Sequence, residues 1–600
     1  MNVQTSSTLT QTHAGMGVIL REGGAAFRVW APHATAVAVS GDWNDWSDAA
    51  NPMAAEGEGY WYADVDGVVA GQEYRFAIEG PDGSISRIDP YARAVTNSVG
   101  NGIVTDRAYD WGDDAFQMPD WNALVIYELH LGTFNRPEGS DAPSGFHDAI
   151  GRFDHLRRLG VNAIQIMPAM EFAGDVSWGY NPAHIFAIES AYGGPTAFKD
   201  FVRAAHAAGF AVILDVVYNH FGPSDLDLWR FDGWGEGEAG GVYFYQDYRA
   251  ATPWGETRPD YGRQEVRQFI RDNALYWLED FRVDGLRFDM TLYIRTISGD
   301  EGDEGDQLPD GWSLMAWLND EIADRFPGRI TIAEDLRQVD AVTATTGEGG
   351  AGFGAQWDAA FVHPVREALI AAEDDDRSIA SLVNALTRTY NGDPFQRVVY
   401  TESHDEVANG KARVPAEIGG EDEQRHWAAQ KRATLGAALV LTAPGIPMLF
   451  QGQEFLQGDW FDDSVPLDWD QAEDFGGIVR LWRDLIGLRL SEPGLRGRHV
   501  EVLLADEDRK LLAYHRHDDN GEAGVLVMLN LRAEAAHDVA LDMPDKGSWR
   551  LRLNTDWSGY SEAFGDHEAH DLEANGEAED TGRPRAMVSL GAYSALVYTR

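Results

Sequence analysis

Eight short apolar runs, separated by amphipathic or turn-rich stretches, constrain this chain more than any other feature. From Val125 onward they read VIYELHLG, VNAIQIMP, AVILDVVYNH, VDGLRFD, RITIAED, AQWDAAF, RVVYTESHD and IPMLFQGQE. Apolar strands alternating with helices are the signature of repeated βα units, whose parallel strands are covered on both faces. Eight of them predict a (β/α)8 barrel. Between Glu265 and Phe281, residues Val266, Phe269, Ile270, Ala274, Trp277, Leu278 and Phe281 fall on one helical face, which predicts a core-facing helix.

At 600 residues the chain exceeds what one core organises, so further domains are expected around the barrel. From Phe27 to Ile78 the segments FRVWAP, AVAVSGDW, WYADVDG and EYRFAIEG alternate between Gly, Asp and Asn turn signals, which predicts a small N-terminal β-sandwich. Past Glu492, LLAYHRH, GVLVMLNL, WRLRLN and AYSALVYT predict a C-terminal one. The expected fold class is α/β, a TIM barrel at 111–491 flanked by β-sandwiches at 1–110 and 492–600. The stretch from Phe221 to about Pro259 is rich in Gly, Asp and aromatics and lacks helical period. Long loops after barrel strands build active sites.

Composition removes several classes of function. No Cys occurs, which excludes disulfides, thiolate nucleophiles and Cys-ligated metal centres. A formal charge of −50 repels nucleic acid and anionic membranes, so neither is expected as a partner. Lys is scarce while Asp and Glu are dispersed, which reads as a highly solvated acidic surface. The opening MNVQTSSTLTQTH lacks an apolar signal region and no apolar span is long enough for a membrane helix, so a cytoplasmic protein is expected. The acidic segment ISGDEGDEGDQLPDG lacks the ligand spacing of a calcium loop and reads as a flexible, solvated loop. Oligomeric state leaves no sequence signal.

Four strand ends gather polar and charged residues at the C-terminal side of apolar runs: Asp215 with Asn219 and His220, Arg287 with Asp289, Glu334, and His404 with Asp405. One such end is explicable as a structural salt bridge. Four in succession, on the face where barrel enzymes place catalysis, point to a site.

The segments DVVYNH, GLRFD, AED and ESHD resemble, in order and spacing, four short regions of the α-amylase superfamily, glycoside hydrolase family 13. GDWNDW is similar to a family 48 carbohydrate-binding module, and YNP before the third barrel strand also fits the family. The resemblance implies retaining chemistry, which needs two carboxyl groups about 5–5.5 Å apart. By the same resemblance Asp289 is the nucleophile, Glu334 the general acid/base, and Asp405 a carboxylate that orients the sugar and stabilises the transition state. Arg287, two residues before Asp289, would share its side of the strand and hold it ionised. Glu334 must stay partly protonated, which requires a less polar pocket.

Tyr180 resembles the tyrosine that stacks on the sugar in the cleavage subsite, and Trp178 has either that role or a core role. His220 and His404 would donate to sugar hydroxyls. Asp215 and Asn219 resemble residues that in some members help bind a structural calcium or hold the third strand's end; no cofactor is required by the chemistry. Trp43, Trp46 and Trp61 either stack on glucan or pack the N-terminal core. The implied partner is an α-glucan or maltooligosaccharide.

Within the family, GDWNDW, SHDEVANGK around Asp405, and GQEF followed by WFDDSVPLDW resemble the branching group, which cleaves α-1,4-glucosidic bonds and transfers to a 6-hydroxyl. DVVYNHFGPS, Thr291 after GLRFDM, and Asp335 after Glu334 resemble instead maltooligosyltrehalose trehalohydrolase. An intracellular α-amylase-type hydrolase is a third reading. A catalytically silent glucan-binding protein fits poorly with three retained carboxylates.

Overall fold

The structure, a computed structural model, describes residues 13–420, 425–521, 523–575 and 582–600. Strands Ile126–Leu129, Ala163–Ile166, Ala211–Val216, Gly285–Phe288, Ile330–Ala333, Ala355–Trp357, Arg397–Val399 and Ile446–Phe450 pair in parallel and in chain order. The last returns to the first, closing the barrel. All eight lie within the runs that predicted them, and every residue in them is buried. That two-sided burial is why the runs are largely apolar instead of alternating. The sixth strand is shorter than its run, because the Asp358 carboxylate accepts from Ala360 N–H and starts helix Ala359–Ile370.

Inside the barrel, Ile126, Ala163, Ile213, Ile332, Val398 and Met448 form an apolar cluster beneath the C-terminal mouth. Outside it, helix Gln264–Asp280 buries Val266, Phe269, Ile270, Ala274, Trp277 and Leu278, with Phe281 buried at its C-cap, as the stripe predicts. Between the second and third barrel strands the chain forms a small antiparallel hairpin, Met170–Phe172 with Pro182–Ile188. The sequence reading did not anticipate it, because the hairpin's strands are also wholly buried.

The N-terminal sandwich has one four-stranded sheet, made of Gly17–Arg21, Gly24–Trp30, Tyr60–Asp66 and Ala54–Gly57. The second contains Ala36–Gly41, Glu73–Gly80, Gly83–Arg87 and Gly102–Ile103. Phe27, Val29, Val37, Val39, Tyr74, Phe76 and Ile78 form its core. Ala54–Gly57 escaped the sequence reading because all four residues are exposed and no alternation marks them. At the C-terminal end, six strands between His499 and Thr599 form one sheet, faced by the pair Ala536–Asp542 and Arg585–Leu590. Among the described residues no helix is long and apolar enough to cross a membrane.

Candidate active site

Parallel register assembles the site. Asp215 pairs with Arg287, and Arg287 with Ile332, so these side chains point to the same side of the sheet. Asp289 and Glu334 each follow two residues later on that side. Their backbones continue the ladder: Asp289 N–H donates to the Val216 carbonyl at 2.9 Å and Glu334 N–H to the Phe288 carbonyl at 3.0 Å.

The fully buried Arg287 is the hub. Its Nη1 donates to both Asp215 oxygens, at 2.9 and 2.7 Å, and to Asp289 Oδ1 at 3.1 Å, while Nη2 lies 2.7 Å from Glu334 Oε2. The guanidinium packs 4.3 Å from the centre of the Trp357 ring. Met290, at φ 35°, occupies the left-handed region that a side chain disfavours, and its N–H donates to Glu334 Oε2 at 2.9 Å. Glu334 Oε1 is buried with no hydrogen-bond partner among the described residues, so one oxygen is anchored and the other is not.

Arg287 pairs with Asp289, as its place on the strand predicts, and favours the ionised carboxylate, but it also approaches Glu334. Burial, reinforced by Glu334, pushes the Asp289 carboxyl well above the usual carboxylate range, against the pull of Arg287. Three buried carboxylates thus crowd around one guanidinium.

His404 carries the second positive charge. Its Nδ1 lies 2.7 Å from Glu128 Oε1 and its Nε2 3.5 Å from Asp405 Oδ2. Burial opposes the cation, yet Asp405 and Glu128 together raise its pKa to about 9. It is therefore an imidazolium at neutral pH. Tyr180 stacks on it, with centroids 5.0 Å apart, and donates its hydroxyl to Asp215 Oδ2 at 2.7 Å. Burial raises the Asp215 carboxyl to about 6, against Arg287 and Tyr180. Asp405 is the most open of the three proposed catalytic carboxylates, with 41% of its side chain exposed.

His220 joins the group differently. Burial lowers its pKa to about 4, so it is neutral, and its Nδ1 lies 3.1 Å from Asn219 Oδ1. Trp254, from the loop between Phe221 and Pro259, stacks on it at 4.8 Å and meets the edge of Tyr293 at 5.3 Å. Trp178 packs against His404 and Phe461.

All eight residues predicted for the site therefore lie together at the barrel mouth. Sequence reasoning missed Glu128, which sits within a wholly buried strand, and Trp357, which offers no signal apart from its strand. Trp254 was findable only through the aromatic richness of its loop. In the N-terminal sandwich Trp43 and Trp61 are half-buried and donate to Asn51 Oδ1 and the Ala31 carbonyl, leaving Trp46, 39% exposed, with the most open ring of the three.

Beside Glu334, Thr291 donates its N–H and its hydroxyl to the Glu334 carbonyl, at 2.7 and 3.0 Å, and its hydroxyl also reaches Asp335 Oδ2 at 3.1 Å. Arg295 grips Asp335 through Nε at 2.8 Å and Nη2 at 2.7 Å, and also binds Glu301. The acidic loop is accordingly more ordered than its composition suggests. Buried Asp306 accepts the N–H groups of Ser298 and Asp300, while residues 301–305 remain exposed.

Carboxylates thus gather at the C-terminal end of a closed parallel barrel flanked by two β-sandwiches, the frame of a barrel enzyme. Residues 15–92 match carbohydrate-binding module 48 (isoamylase N-terminal domain), 134–230 the alpha amylase catalytic domain, and 502–600 the alpha amylase C-terminal all-beta domain. The chain is 32% identical to the 1,4-alpha-glucan branching enzyme GlgB of Rhodospirillum rubrum, over 94% of this chain and 78% of that one. It is 33% identical to GlgB 2 of Xanthomonas campestris pv. campestris, over 92% and 79%. Pullulanases from Bacillus acidopullulyticus (20% identity, TM-score 0.76, 98% of this chain, 75% of that one) and Bacillus subtilis (23%, 0.75, 98%, 86%) share the fold. The chain belongs to glycoside hydrolase family 13, the α-amylase family.

Proposed function

We propose that this chain is a 1,4-α-glucan branching enzyme, cleaving an α-1,4-glucosidic bond and passing the glycosyl group to a glucan 6-hydroxyl. The observation that carries the reading is the Asp289 and Glu334 pair on neighbouring strands, bridged by one buried guanidinium. Similarity to branching enzymes over more than nine-tenths of the chain supports the choice within the family.

Retaining chemistry calls for a proton on Glu334 and an ionised Asp289 in the productive state. Asp289 attacks the anomeric carbon while Glu334 Oε1–H protonates the departing glycosidic oxygen, giving a covalent glycosyl-enzyme. Glu334, now ionised, takes the proton of an acceptor 6-hydroxyl, which displaces Asp289 with net retention. Asp405 and the His404 cation hold sugar hydroxyls in the distorted ring, and the Tyr180 ring backs the sugar's apolar face. Asp215 acts on Arg287, and His220 presents a neutral imidazole. None of these steps calls on a cofactor. The cysteine-free, acidic composition suits a reducing, cytoplasmic setting.

Proton NMR of amylose and of maltooligosyltrehalose after incubation tests the proposal. New α-1,6 anomeric signals with little new reducing end are expected. Released trehalose or free maltooligosaccharides in their place would sink it in favour of a hydrolase.

A further inference from the structure

The N-terminal sandwich and the segment that follows it grip one part of the barrel domain, the loop at 221–259, through a set of hydrogen bonds and ring contacts. Arg87 donates to three successive loop carbonyls: Trp229 at 3.3 Å, Arg230 at 3.1 Å and Phe231 at 3.2 Å. Asp227 accepts from Arg75 at 2.8 Å and from Ile88 N–H at 2.6 Å. The fully buried Asp232 accepts from His33 N–H and lies 2.9 Å from its ring Nδ1, while that ring stacks on Trp234 at 4.3 Å. Trp30 meets Tyr243 edge-on at 5.7 Å, and Ser98 donates to Asp225. Gly80 touches the loop backbone so closely that a Cβ there would lie 2.0 Å from the Asp232 carbonyl.

The gripped segment leads to the site. Arg230 N–H donates to the Gly240 carbonyl, Tyr245 N–H to Arg258, and Arg258 N–H to Ala250. The Thr257 hydroxyl then ties the far end to the Phe221 carbonyl at 2.6 Å, and Trp254 projects over His220. Partly buried backbone carbonyls met by a guanidinium, and a buried carboxylate met by His33, are contacts that fix a segment in one arrangement.

We propose that the N-terminal sandwich is a positioning element for the active site: through Arg87, Arg75 and His33 it fixes the loop that holds Trp254 over His220 as a stacking face for the glucan. Arg87 touches no substrate and is a positioning residue. The role of Trp254 toward glucan rests on the branching reading; the loop's dependence on Arg87 does not.

The test uses the full-length chain. Amide hydrogen exchange is measured on Arg87→Ala, with His33→Ala as a milder second variant and Arg21→Ala, on a strand outside these contacts, as the control. Arg87→Ala should speed exchange across residues 240–258 about tenfold while the sandwich strands keep their protection. Kinetics on amylose supply the second arm. Arg87→Ala should raise KM several-fold with less effect on kcat, Arg87→Lys should restore part of it, and in a Trp254→Ala background Arg87→Ala should add nothing further. Unchanged loop exchange in both folded variants, or effects of Arg87→Ala and Trp254→Ala that simply add, overturns the proposal. An inactive parent enzyme would remove the branching reading and leave the exchange arm to decide this one.

Discussion

Thr291 holds the main-chain carbonyl of Glu334 twice, through its N–H at 2.7 Å and its hydroxyl at 3.0 Å. The same hydroxyl reaches Asp335, which Arg295 clamps from its other side. Glu334, the proposed general acid, is thus fixed through the backbone as well as through its carboxylate.

Thr291→Val keeps the shape and the N–H but strips two buried acceptors of their hydroxyl. A stability loss of about 1–3 kcal/mol is expected, with lower kcat and little change in KM, because the substrate itself is not contacted. Thr291→Ser should recover most of both. Urea denaturation and initial rates check this, and a Thr291→Val enzyme with parental kcat would remove the positioning role.

Asp289→Asn and Glu334→Gln should differ by leaving group. Loss of general acid catalysis costs on the order of 10²–10⁴-fold on amylose, and an aryl maltooligosaccharide with an acidic phenol leaving group needs no such help. Glycosylation measured as the phenol burst should therefore recover in Glu334→Gln and stay absent in Asp289→Asn. Recovery in Asp289→Asn instead would reverse the two assignments.

Arg287→Met leaves Asp215, Asp289 and Glu334 buried without their countercharge, a loss of about 3–5 kcal/mol at neutral pH. Asp215 already titrates near about 6 and Asp289 is raised well above its ordinary range, and both rise further without the guanidinium. A folded state that binds more protons than the unfolded chain loses stability as pH rises. The variant's deficit should therefore be greater at about pH 8 than at about pH 5, as urea denaturation at the two values would register. A deficit that grows on acidification would contradict the charge arrangement.

His404 titrates at about 9 in the folded chain, above the ordinary histidine value. Its contribution to stability is fully present below about pH 6.5 and is lost as pH rises through the folded value. His404→Gln should therefore lower the melting temperature most at about pH 6 and least near about pH 10. A difference that is flat across that range would mean that Glu128 and Asp405 do not hold the imidazolium.

The barrel was legible because parallel strands covered on both faces leave eight largely apolar runs, and carboxylates at the ends of those runs, Asp215, Asp289, Glu334 and Asp405, stand out against them. What escaped was set by contacts distant along the chain. Glu128 meets His404 across 276 residues of sequence and His33 meets Asp232 across 199, so neither pairing leaves a local pattern. Edge strands such as Ala54–Gly57 lack alternation because no face of them is buried. The arrangement of the acid pair was half legible for a related reason: the spacing of Arg287 and Asp289 is visible in the sequence, whereas the approach of Glu334 to the same guanidinium exists only in the fold.

The contact at Gly80 bears on how such a chain can be inherited and rebuilt. Any side chain at that position would wedge the seam between the sandwich and Asp232 apart. A sandwich grafted from a relative would therefore need a glycine at the matching edge and partners for Asp227 and Asp232. Recombination at the linker would break this matched set, so the two segments are expected to pass through evolution, and through protein engineering, as a single block and not as interchangeable cassettes.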